Sequence, residues 1–125
     1  MNALQMAQDA YASSVNITRS DRSVEHAAFS RITGQLASAA ANGKAGFHDL
    51  VTALHDNQKL WTLIAAEVAL PENELPQDLR AQIFYLAEFT SVHTRKVLRQ
   101  NATADALVDV NTAIMRGLNS HQGAS

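Results

Sequence analysis

Histidine is the side chain here best suited to hold a metal, and the chain has five, His26, His48, His55, His93 and His121. A helical metal pair needs i, i+3 or i, i+4 spacing, which brings both rings to adjacent turns of one face. His48 and His55 lie seven apart, sharing a face but not a turn, and no HxxxH, ExxH or HExxH occurs. Asp49 follows His48 directly, so the two side chains diverge. No metal site is expected. Acid–base chemistry fares little better: Asp56, Glu67 and Glu88 are separate carboxylates, and no pattern brings a nucleophile to a base. Glu88, inside "YLAEFT", is the carboxylate with the most apolar sequence neighbours; the plainer reading is a half-exposed glutamate that meets an Arg or Lys.

Phosphate-cradling glycine patterns are also missing. Gly43, Gly46, Gly117 and Gly123 read as caps, loops or tail, while Gly34 falls mid-helix, where it permits a close helix approach or is simply tolerated. Basic residues gather in "TRSDR", with Arg31 beyond it, and in "HTRKVLR". The second group could touch phosphates, but it equally suits a helix C-terminus, where cations oppose the helix dipole. A formal net charge of -2 and few aromatics for base stacking argue against nucleic acid.

The elements that would carry these residues are helical. At 125 residues, 46% hydrophobic and 18% charged, the chain has the size and composition of one globular domain. It has no cysteine, so thiolate chemistry and disulfides are excluded. The N-terminus lacks the basic and apolar regions of a secretory signal, and no apolar run reaches the roughly 20 residues of a membrane span. A cytoplasmic, soluble protein is the expectation.

β-branched alternation is absent, and both prolines fall in "LPENELP". Apolar periodicity predicts five helices. The first covers about 2–14, with Leu4, Ala7 and Tyr11 on its face, and the loop "NITRS" follows. The second starts near Ser20 or Asp21 as caps and carries Val24, Ala28, Ile32, Gln35, Leu36 and Ala39, with Phe29 alongside, until Gly43 supplies a left-handed stop. The third spans about 47–69. Pro71 ends it and Pro76 opens the fourth, about 76–100. The fifth runs about 104–117, with Gly117 as its stop. Loops of about four to seven residues imply an all-α, antiparallel bundle of about five helices. The expected domain is 1–118, followed by a tail, 119–125, expected to be disordered.

Two features exceed what one buried seam needs. Phe84, Tyr85 and Phe89 project to different sides of the fourth segment, and Leu60 and Leu63 lie off the main stripe of the third. Such surplus apolar surface either sits at a bundle centre or forms a groove for a partner's amphipathic helix. The second feature is "LHDNQKLW", where Asn57 and Gln58 interrupt an apolar stripe one turn before the only tryptophan. An amide buried without a partner is costly. Two readings follow. Asn57 could break the helix, "LHDN" ending one and "QKLW" opening another. Alternatively Asn57 and Trp61 line a partner groove, the amide setting register and the indole supplying anchor area. Asn111, also within an apolar stripe, could pair with Asn57 or with a backbone carbonyl.

The stretch "LVTALHDNQKLWTLIAAEVALPENELPQDLRAQIFYLAEFT" resembles the central block of the FlaF family of flagellar biosynthesis regulators. The likeness continues through "SVHTRKVL" into "ADALVDVNTAIMRGL", and upstream "AYASS" and "RSVEHAAFSRITGQL" are similar to the family's opening helices. The alanine-rich "ASAAANGKAG" and the tail "NSHQGAS" depart from it. The resemblance implies a cytoplasmic, chaperone-like factor, not an enzyme and without a cofactor, that binds flagellin and promotes its synthesis and secretion. It also implies action in counterpoint to FlbT, a regulator of flagellin mRNA translation. The alternative is an RNA-associated translational regulator acting with FlbT. Asn57, Leu60, Trp61, Phe84, Tyr85, Glu88 and Asn111 are the candidate partner-binding residues.

Overall fold

The computed structural model describes the backbone of residues 15–124 and the side chains of residues 26–117. Among the described residues there are four α-helices, α1 (Val15–Ala41), α2 (Phe47–Ala69), α3 (Gln77–Leu98) and α4 (Asp105–Ala124), with a 3-10 turn, Gly43–Gly46, between the first two. The all-α class expected from periodicity holds, with four helices described where about five were expected; the expected segment over 2–14 lies outside the described residues. Two boundaries differ. The helix expected to start at Ser20 or Asp21 is already formed at Val15, the first described residue, because "NITRS" contains no Gly or Pro and its modest propensities do not break a helix. Gly117 does not stop α4, which continues to Ala124. A single helical glycine costs only about 1 kcal/mol.

Helix α1 packs against α2 and α4, and α3 packs against the same two, so α1 and α3 stand diagonally across the bundle. Each connection has its own chemical lock. After α1, Gly43 takes φ +57, a conformation that only glycine adopts without strain. Gly46 then passes so close to the end of α1 that a Cβ there would collide with the Ala39 carbonyl and lie 2.8 Å from Asn42 Cβ. After α2, Arg80 reaches back from α3, donating from Nε to the Val68 carbonyl at 2.9 Å and from Nη2 to the Leu70 carbonyl at 2.8 Å. Those carbonyls have no intrahelical donor, and the guanidinium supplies one to each. After α3, Gln100 adopts φ 63; its N–H donates to Val97 O and that of Asn101 to Lys96 O, both at 2.9 Å. This is a Schellman stop with glutamine where glycine is usual.

The core has two apolar halves. Phe29, Trp61, Ile64, Val68, Ile83 and Ala87 form one. Ile32, Leu36, Ala53, Leu54, Val97 and Leu107 form the other. Phe29 meets Trp61 edge-to-face, ring centroids 5.7 Å apart, as aromatic quadrupoles favour. Every helix also buries polar side chains, Thr33 from α1, Asn57 from α2, Thr90 and Thr94 from α3 and Asn111 from α4, and those of α1, α2 and α4 join in a polar layer.

Candidate partner-binding surface

Asn111 is the hub of this polar layer. Its Oδ1 accepts from Trp61 Nε1 at 2.9 Å, and its Nδ2 donates to Asn57 Oδ1 at 2.8 Å and to Thr33 Oγ1 at 3.1 Å. Asn57, Trp61 and Asn111 are each 0% exposed. Of the two alternatives for Asn111, pairing with Asn57 or with a backbone carbonyl, the pairing with Asn57 is present. The expected helix break is not: α2 runs unbroken through Asn57. A hydrogen bond from another helix satisfies its Oδ1 and lowers the penalty that made a break plausible, while its Nδ2 stays buried without a partner. Nor does Asn57 line an open groove in the free chain, since it lies wholly inside the bundle. Thr33 escaped the sequence reading, although Phe29, Thr33 and Leu36 fall at i, i+4 and i+7 on one helical face.

The other candidate residues divide between core and surface. Leu60 is half-buried and packs against both apolar halves. Phe84 is 46% exposed and Tyr85 66%, with Val92 and Leu63 exposed as well. Between α2 and α3 runs a shallow groove of about 170 Å³. Trp61 and Ala87 lie at its floor, with Ala65 and Phe84 beside them, and Gln58, Thr62, Glu88 and Ser91 supply its polar lining. The structure thus unites Trp61, Phe84 and Glu88 at one place, while Leu60, Tyr85 and Asn111 do not line it. Gln58 and Thr62 were not anticipated as lining residues; their sequence signal is i, i+4 spacing flanking Trp61. Glu88 is exposed rather than enclosed by its apolar helix.

A second, larger cleft of about 560 Å³ separates α1 from α2 and is lined by polar groups that include Arg31, His48, Asp49 and Asp56. Among the described residues no three His, Cys, Asp or Glu side chains gather as a metal would require. Nothing approaches within 4 Å of a Cβ built at Gly34, which lines this cleft, so close helix packing is not its role. Arg95, Lys96 and Arg99 are exposed at the end of α3, where they oppose the helix dipole. Among the described residues no helix is long and apolar enough to cross a membrane.

Among the described residues the fold has an internal polar layer and a surface groove lined by both apolar and polar side chains. No curated protein and no solved structure matches the chain. The family model described as flagellar protein FlaF matches residues 7–118, nearly the entire sequence and every described side chain that builds the core and the groove. The chain belongs to the FlaF family of flagellar proteins.

Proposed function

We propose that this protein binds flagellin in the cytoplasm, chaperone-fashion, and so promotes flagellin synthesis and secretion in counterpoint to FlbT. The observation that carries the reading is the apolar surface that α3 leaves uncovered, Phe84, Tyr85 and Val92, beside a groove that a helix can enter. Flagellin's terminal segments are amphipathic helices that assemble by coiling together, and export requires them unassembled. Covering their apolar faces needs apolar anchors and a few polar contacts to set register, with no catalytic group and no cofactor.

Calorimetric titration with the cognate monomeric flagellin, at two salt concentrations, tests this. One-to-one binding with a negative heat-capacity change and little salt dependence is the expected result. Phe84→Ala and Tyr85→Ala are the informative variants, because Trp61 is a core residue and Trp61→Ala would unfold the protein. Absence of binding at tens of micromolar would refute direct chaperoning. The exposed Arg95, Lys96 and Arg99 favour one other reading, an RNA-associated regulator of the flagellin message. That reading requires affinity for the message to fall steeply with salt and to depend on those three residues.

A further inference from the structure

We infer that the α2/α3 groove receives an amphipathic helix oriented by charge, with a Lys or Arg of the partner set against Glu88 and an acidic residue about seven positions away set against Arg95. This deepens the flagellin reading and rests on it for the identity of the partner. The groove's apolar part is Phe84 with the small residues Ala65 and Ala87, which leave room for a ridge of side chains from a second helix. Glu88 stands in this lining with no hydrogen bond or ion pair from any described residue. Across from it, Gln58 spends its Nε2 on a long contact to Thr62 Oγ1 at 3.4 Å, while its Oε1 is shut from solvent and has no donor. A carboxylate is an acceptor satisfied by the multiple N–H donors of an ammonium or guanidinium, and a turn of the Gln58 side chain would bring its carbonyl oxygen to the same donors.

The opposite charge lies further along the same wall. Arg95 Nη1 donates to Ser91 Oγ at 3.1 Å, and Ser91 is itself a lining residue. Glu88 and Arg95 are two helical turns apart, about 10 Å at 1.5 Å per residue. A helix lying along α3 meets both charges with a base and an acid of its own spaced about seven residues apart. Which of the two comes first in the partner's sequence then sets the direction in which it lies. Charge of this kind governs orientation and specificity, while Phe84 and its apolar surroundings supply contact area.

The test uses the full-length protein, monomeric flagellin and a pair of designed 18-residue amphipathic peptides, identical except for Lys or Glu between their apolar anchors. Binding is measured by calorimetry and located by amide chemical shifts. Glu88 is exposed, so Glu88→Lys is expected to leave the thermal midpoint unchanged. It should weaken flagellin binding about tenfold, with the loss shrinking at high salt, and Gln58→Leu should weaken it less. The wild type should prefer the Lys peptide, shifting amides around Phe84 and Glu88, and Glu88→Lys should reverse that preference. Flagellin bound with wild-type affinity by both Glu88→Lys and Phe84→Ala would overturn the groove assignment while leaving flagellin binding intact. No flagellin binding by the wild type would overturn the function proposed above. The peptides would still decide the groove: equal binding of the two, or none, sinks it.

Discussion

Replacing Asn111 by leucine keeps the side-chain volume of α4 but removes the hub of the polar layer. Three hydrogen bonds disappear, those to Trp61, Asn57 and Thr33. Thr33 can turn its hydroxyl to its own helix, leaving two groups stranded: the Trp61 indole N–H and Asn57 Oδ1, both on fully buried side chains. A buried polar group without a partner costs about 1–3 kcal/mol, so the two together cost about 2–6 kcal/mol. Burying the leucine hydrocarbon returns roughly 1–2 kcal/mol. The expected net loss is about 3 kcal/mol, a large share of the roughly 5–15 kcal/mol that holds a domain of this kind together. Urea unfolding followed by Trp61 fluorescence and far-ultraviolet circular dichroism measures it. The mechanism has a sharper signature in the pair. Asn57→Leu combined with Asn111→Leu removes one of the stranded groups, so the double variant should be at least about 1 kcal/mol more stable than the sum of the two single losses predicts. Additivity within about 0.5 kcal/mol would refute the idea that these amides act as a connected layer.

Glycine makes opposite predictions at two positions. Gly46→Ala should cost about 2 kcal/mol or more, because the new methyl meets the Ala39 carbonyl, whereas Gly34→Ala, with open space around it, should stabilise by about 1 kcal/mol; thermal melts of the two variants decide this by their sign. Arg80→Ala should lose about 1–2 kcal/mol by urea denaturation, since it takes the Arg80 donor from the Val68 carbonyl and leaves the Leu70 carbonyl only the Asn73 N–H, and Arg80→Lys should recover less than half, because one ammonium lacks the fork that spans two carbonyls. Gln100→Gly should raise the urea midpoint by an amount equivalent to about 0.5–1 kcal/mol, since φ 63 strains glutamine but not glycine; an unchanged or lower midpoint would count against strain at this turn.

Residue pattern alone determined the helices and their ends wherever a strong local signal exists. The apolar period and the proline pair placed α2 within its observed bounds, Phe47–Ala69, and Gly43 does supply the left-handed stop expected of it. These are short-range effects, decided by backbone conformation within a few residues. Weak signals misled in proportion to their weakness: "NITRS" reads as a loop from propensity yet continues α1, and Gly117 reads as a stop yet lies inside α4. The role of Asn57 stayed open between a helix break, a groove and a pairing with Asn111. A lone amide on an apolar stripe has the same local pattern whether it breaks a helix, lines a groove or bonds another helix. Its partner, Asn111, lies 54 residues away on α4. Only the packing of α1, α2 and α4 brings together Thr33, Asn57, Trp61 and Asn111, and only the way α3 packs leaves Phe84 and Glu88 on the surface. Helical period sets which residues share a face; which face finds a neighbour depends on long-range contacts that no local window contains.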